Sequence, residues 1–214
     1  MSRRIAWTLA TWLLLISGRA LANDALLTEL AELQQRWAVA NYELRDKPRV
    51  AALVLLVQDA EALTGRHPQR AEGWIWSGII RSTLAGAKGG LGALGIAKAA
   101  KADLERAMEI DPAALDGSAY TSLGTLYSKV PGWPVGFGNE KKAQSLLQEA
   151  LRINPDGIDA NFFYGQFLFE HGHRAEAETY LQRAAKAAPR PGRELADRGR
   201  QKEIAELLAK VRAK

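Results

Sequence analysis

The segments LERAMEIDP (104–112), LLQEALRINP (146–155) and LQRAAKAAP (181–189) decide the fold, because they are three copies of one pattern. Helical spacing puts the leucine and the small alanine of each copy on one face, where a second helix can approach closely, and the proline ends the helix. The pattern therefore predicts helices that pack in pairs. The three copies are Leu104, Ala107 and Pro112; Leu147, Ala150 and Pro155; and Leu181, Ala184 and Pro189.

A matching first helix precedes each copy: WIWSGIIR (74–81), YTSLGTLY (120–127) and NFFYGQFL (161–168). Together the two patterns resemble the tetratricopeptide repeat, in which W-x2-L-G-x2-Y is followed by an alanine, an aromatic residue and a proline, with a period of about 34 residues. The fit covers residues 72–190. The resemblance implies an all-α fold, a solenoid of antiparallel helix pairs, and the chain contains no alternating Val/Ile/Thr run typical of strands.

The repeats divide one expected domain, 23–214, into units. A terminal repeat exposes an apolar face, so solenoids end in a capping helix. We expect a degenerate unit at 24–68, regular units at 72–112, 118–155 and 159–189, and a capping helix at 194–212.

Residues 1–22 have the features of an export signal. Arg3 and Arg4 precede an apolar run at 5–17, and Ala20-Leu21-Ala22 forms a cleavage site. The run is shorter than the roughly 20 residues that a membrane span needs. The sequence therefore predicts cleavage after Ala22 and a soluble periplasmic protein, exported by the general secretory or the twin-arginine route.

Composition excludes several classes of site. The chain has no cysteine, which excludes disulfides, thiolate metal ligands and cysteine nucleophiles. Removal of the three arginines in 1–22 lowers the formal charge from +5 to +2, so nucleic-acid binding is not expected. Residues 183–214 hold ten Lys/Arg against four Asp/Glu, either as a solvated last helix or as a surface for an anionic partner.

Catalytic and metal-binding motifs are weak. Gly90, Gly92 and Gly95 spell G-x-G-x-x-G, but a helix and not a strand is predicted before them. His171 and His173 flank a tight turn without a third ligand at metal-binding spacing. We expect no enzyme activity, no cofactor and no metal site.

Two repeats carry insertions. The spans Trp74–Pro112 and Tyr120–Pro155 are longer than the regular span Asn161–Pro189, and the extra residues are AGAKGGLGALG (85–95) and PGWPVGFGN (131–139). Both are expected at inter-helix turns, side by side on one edge of the solenoid. The second insertion presents Trp133 and Phe137 on a stiff loop. Their rings either fold back between repeats or contact a ligand or partner.

The exposed side of the first helices should form a concave surface. This surface is apolar and hydroxylic, which suits an apolar ligand or an amphipathic helix. The alternative is that the first and last helices fill it. Its predicted members are Ile75, Ile79, Ser82, Thr121, Thr125, Ser128, Phe162, Gln166 and Phe169.

The stretches LGTLYSKVPGWPVGFGNEKKA (123–143) and NPDGIDANFFYGQFLFEHG (154–172) are similar to exported bacterial repeat proteins grouped with the T component of tripartite ATP-independent periplasmic transporters. The resemblance implies a helical protein that interacts with a substrate-binding protein and handles an apolar small ligand. The leading hypothesis is a non-enzymatic interaction scaffold of the cell envelope, which binds a protein partner through the concave surface and the 131–138 loop. The alternative is a binding component for an apolar or organic-acid ligand.

Overall fold

The structure is a computed structural model that describes residues 25–213, so the predicted export signal at 1–22 lies outside the described residues. The prediction of an all-α fold is confirmed, since the described range contains helices and no strand beyond one isolated bridge. The helices are α1 (described over 25–42), α2 (Asp46–Arg66), α3 (Ala71–Lys88), α4 (Gly90–Ile110), α5 (Ala114–Lys129), α6 (Glu140–Ile153), α7 (Ile158–Glu170), α8 (Arg174–Ala185) and α9 (Glu194–Arg212).

Adjacent helices pack as pairs: α3 with α4, α5 with α6, and α7 with α8. One glycine makes the close approach possible in every pair. A Cβ atom on this glycine would lie 2.5–2.9 Å from the Cγ of a fully buried leucine in the second helix, nearer than real Cβ atoms come. The repeated Gly and Leu of the sequence are therefore the contact that sets the pair geometry. The pairs are Gly78 and Leu104, Gly124 and Leu147, and Gly165 and Leu181.

The start of α5 departs from regular helix. Leu115, Asp116 and Gly117 have φ angles of 47°, 55° and 72°, so regular helix begins at Ser118. A Cβ atom on Gly117 would lie 3.0 Å from Cδ1 of Ile153, at the end of α6. This left-handed turn lets the end of α6 pack against the start of α5.

The first insertion is mostly helical, which corrects the expectation of an inserted turn at 85–95. Helix α3 continues to Lys88 and α4 begins at Gly90, so the turn itself is confined to Gly89 and Gly90, with φ angles of 60° and 65°. Alanines and leucines at helical spacing continue both helices, and the exposed glycines Gly92 and Gly95 do not interrupt α4. The insertion lengthens the pair.

The last helix contacts the first repeats, and the solenoid closes on itself. A Cβ atom on Gly199 of α9 would lie 2.3 Å from Cδ1 of Tyr42, at the end of α1. The Arg193 guanidinium lies 4.9 Å from the ring centre of Trp76 in α3. Ala196 is buried in the same hydrophobic cluster as α1 and α2. These contacts of Tyr42 and Trp76 with the 193–199 segment are called the closure contact below.

An ion-pair network holds α9 and its preceding linker on α7. Asp159 accepts from Arg200 Nε at 2.8 Å and from Arg190 Nη1 at 2.6 Å, and Arg190 also binds Asp197. Burial alone would raise the pKa of Asp159, but the charges of Arg200 and Arg190 lower it to about 2. Burial raises the pKa of Tyr42, beside this network, to about 12. Helix α9 thus contacts both α1, through Tyr42, and α7, through Asp159.

Candidate binding groove and aromatic loop

The closed solenoid surrounds a groove of about 980 Å³. Its walls come from the first helices of successive pairs, the start of α4 and the segment 187–200. Ligand pockets typically have volumes of roughly 300–1,000 Å³. The groove is therefore at the upper end of the sizes found for small-molecule sites. Most of its lining is apolar, including Trp37, Trp76, Ile79, Leu94, Leu126 and Phe163.

Several predicted concave-surface residues line this groove. Ile79, Thr121 and Thr125 face it, as does Ser82. Ser82 Oγ is buried and has no hydrogen-bond partner among the described residues. Spacings of three and four residues along α3 and α5 had predicted that these side chains lie on one face. The hydroxyls add hydrogen-bonding groups to an otherwise apolar wall.

Ile75 and Phe162 are buried in the core, which corrects their predicted place on an exposed concave surface. Ile75 is 0% exposed and Phe162 is 5% exposed. Phe162 is covered because α9 docks on α7, with the Arg200 guanidinium 4.4 Å from the Phe162 ring centre. Phe163, the next residue, lines the groove instead.

Gln166 and Phe169, the remaining predicted residues of α7, lie outside the main groove. Gln166 lines a shallow depression beside it together with Thr125, Ser128 and Glu170. Phe169 is half-buried beneath the Arg174 guanidinium, which lies 5.5 Å from its ring centre. The predicted surface is therefore divided between the groove, the core and this depression.

Three arginines of the C-terminal segment also line the groove, and no motif in the sequence pointed to them. Arg190 and Arg200 are paired with acidic residues. Arg193 lies over Trp76, and its Nε is buried without a hydrogen-bond partner in the described part of the chain. The sequence feature that could have indicated these arginines was the excess of Lys and Arg in 183–214. Its interpretation as a solvated helix does not fit Arg193 or Arg200.

The aromatic loop, residues 131–138, is braced by backbone hydrogen bonds. Gly138 N donates to Pro131 O at 2.9 Å, and Gly136 N donates to Gly132 O at 3.0 Å. Asn139 follows the loop and caps α6, where its side chain accepts from Lys142 N. These hydrogen bonds connect the two ends of the loop and cap the helix that follows it.

The two aromatic residues of the loop have opposite environments. The half-buried Phe137 ring packs edge-on against Tyr127, with ring centres 5.4 Å apart. Trp133 is 90% exposed, and nearby Val135 is 61% exposed. Phe137 therefore folds back onto α5, which is the first of the two interpretations of the loop. Trp133 does not fold back and is exposed for contact with a ligand or partner.

The loop and the first insertion are neighbours. A Cβ atom on Gly136 would lie 3.4 Å from Cδ1 of Leu94 in α4. Leu94, Pro131 and Val135 all line the groove. Both insertions thus meet at one edge of it, as their positions in consecutive repeats predicted.

The histidines of the α7–α8 turn are separated. His171 Nε2 lies 3.6 Å from Glu140, and His173 Nδ1 lies 3.4 Å from Glu176. No group of three potential metal ligands lies together in 25–213. None of the described helices is both long and apolar enough to cross a membrane.

Comparisons with known proteins agree with the repeat pattern. The family model described as Tetratricopeptide repeat matches residues 135–197, which span the end of the loop through the start of α9. The crystal structure of a thermophilic TPR protein from Thermus thermophilus is similar, with a TM-score of 0.55 and 16% sequence identity over 85% of this chain and 99% of that chain. No curated protein matched the chain. Residues 135–197 therefore match the tetratricopeptide-repeat model, and the chain shares the fold of a solved TPR protein.

Proposed function

We propose that this protein is a non-enzymatic interaction scaffold of the cell envelope that contacts a protein partner through the aromatic loop. The tetratricopeptide-repeat fold suggests a protein-interaction scaffold. The observation that carries the proposal is the 90% exposure of Trp133 on a loop whose other aromatic ring is anchored. The export signal expected at 1–22 supports a periplasmic location.

The geometry of the loop favours binding. Tryptophan is enriched among the residues that dominate interface energies. Because hydrogen bonds and the Phe137–Tyr127 contact already fix the loop, little conformational entropy remains to be lost when a partner binds Trp133. Val135 extends the apolar patch next to it. The loop therefore presents a rigid aromatic anchor.

Photo-crosslinking in the periplasm of the native cells tests this function. A photoreactive residue at Val135 should give a discrete protein adduct, and the additional change Trp133→Ala should abolish it. The matched control is a photoreactive residue at Leu55, which is apolar and 56% exposed on α2. No adduct at Val135, or the same adducts at both positions, would contradict the proposal.

A second candidate function is the binding of an apolar or organic-acid small molecule, in association with a tripartite ATP-independent periplasmic transporter. The similarity of residues 120–190 to proteins grouped with such transporters motivates the association. The closed groove of about 980 Å³, with Trp37 and Trp76 in its wall, favours a small ligand over an extended peptide. A neutral naphthylamine dye should bind the wild-type protein. Ile79→Trp should block this binding, whereas Leu55→Trp on the outer surface should not.

A further inference from the structure

Among the described residues, Arg193 is the arginine of the apolar groove that forms no ion pair. Arg190 and Arg200 each bind Asp159, and each binds a second acidic residue, Asp197 or Glu203. Arg193 makes no ion pair with any described residue, although Asp159 and Asp197 are near enough to act on it through space. Guanidinium groups remain protonated in proteins. Arg193 therefore brings an unpaired positive charge to the groove.

The surroundings of Arg193 make this charge unfavourable in the free protein. Its guanidinium lies over the ring of the buried Trp76, and its Nε is buried without a partner in the described structure. Burial first, and then the charge of Arg190, lower the pKa of Arg193. An uncompensated buried polar group costs free energy that a ligand can recover by pairing with it. An anionic group would satisfy the free N–H donors of Arg193.

The other charged residues lining the groove do not supply this anion. Asp159 already accepts from two arginines. Asp116 and Asp156 line the groove but are solvent-exposed, as is Lys129. The rest of the lining is mainly aliphatic and aromatic, with hydroxyls such as Ser82. A ligand that matches this lining has a long apolar body and one charged end.

We propose that the groove binds an amphiphile with an apolar body and a single anionic group, carboxylate or phosphate, paired with Arg193. This inference rests on the second candidate function, ligand binding in the groove. The planar guanidinium suits both oxyanions, because each can accept two parallel hydrogen bonds from it. The apolar body lies along the wall formed by Trp76, Ile79 and Leu94.

Binding of matched probes tests the charge preference on the wild-type protein. Dodecanoate and dodecyl phosphate should change the fluorescence emission of Trp37 and Trp76, which line the groove, at concentrations below their aggregation range. The neutral 1-dodecanol should bind roughly ten- to hundredfold more weakly, because it lacks the charge-assisted hydrogen bonds. Dodecyltrimethylammonium should be weaker still. Calorimetric titration supplies a second readout. A preference of dodecanoate over dodecyl phosphate, or the reverse, identifies which anion the site takes.

Arg193→Gln should remove the preference for the anion while binding of 1-dodecanol stays unchanged. Arg198→Gln is the matched control, since Arg198 is exposed on α9, the helix that Arg193 precedes, and the substitution removes the same charge. Circular dichroism checks that both variants are folded. If neutral and anionic probes bind the wild type equally, or Arg193→Gln keeps the preference, the anion site is refuted and groove binding stands. If no probe binds, both proposals fail. The wild-type comparison decides the charge preference even if Arg193→Gln does not fold.

Discussion

Replacing Gly78 by alanine tests the contact that sets the helix-pair geometry. Two effects oppose each other at this position. Alanine favours helix over glycine by roughly 1 kcal/mol. However, its Cβ would lie 2.5 Å from Leu104 Cγ and 3.2 Å from the Ala100 carbonyl oxygen, and Leu104 is fully buried. Leu104 therefore cannot move aside without displacing the core.

The steric effect should win. Inserting a methyl group into a packed core typically costs about 1–3 kcal/mol. A contact of 2.5 Å with a fully buried side chain places Gly78→Ala in the upper part of this range, about 2–3 kcal/mol, so the net loss of unfolding free energy should be about 1–2 kcal/mol after the propensity gain. In a domain of this length each kcal/mol corresponds to roughly 2–4 °C. The expected fall in Tm is therefore about 2–8 °C.

Urea unfolding and thermal unfolding of the purified protein measure this loss. Gly95→Ala is the matched control, because Gly95 is exposed within α4 and a Cβ there meets no atom within 4 Å. That variant should gain up to about 1 kcal/mol. If Gly78→Ala were as stable as the wild type or more stable, the close approach would not be the determinant of pair packing.

Two further predictions concern the aromatic loop and the ion-pair network. Phe137→Ala should lower the unfolding free energy by about 2 kcal/mol, because the ring is half-buried and truncating a fully buried phenylalanine costs roughly twice as much. Trp133→Ala should change the unfolding free energy by less than about 0.5 kcal/mol. Equal losses of stability in urea unfolding would contradict the environments assigned to the two rings. Because the pKa of Asp159 is lowered from 3.8 to about 2, its stabilisation is present above the ordinary value and lost as pH falls through about 2. Asp159→Asn should therefore flatten the dependence of stability on pH between about 4 and 2, and an unchanged slope would count against the network.

The helix pairs were predictable because their signals are local. The spacing of Leu104, Ala107 and Pro112 specifies a helix, its buried face and its end within nine residues. The same helical spacing placed Ile79 and Thr121 on the side that lines the groove. The exposure of Trp133 was not predictable in this way, since both loop aromatics lie on the same short segment and only the packing on Tyr127 distinguishes them.

The closure contact could not be predicted from any local pattern in the sequence. Whether α9 meets α1 depends on small rotations between successive repeats, which accumulate along the solenoid. The sequence shows no periodic signal for a pairing between Tyr42 and Gly199. The environments of Phe162 and Arg193 could not be predicted without knowing the closure contact. The docking of α9 buries Phe162 and places Arg193 beside Trp76.

The meeting of Tyr42 with Gly199 also changes how the molecule should unfold. In an open array each repeat contacts only its neighbours, so the ends can fray independently and stability is close to a sum over repeats. Here, detaching α9 removes support from α1 and α7 together. The ends are thermodynamically coupled, and the number of repeats becomes fixed: one repeat more or fewer would separate Tyr42 from Gly199 and open the groove.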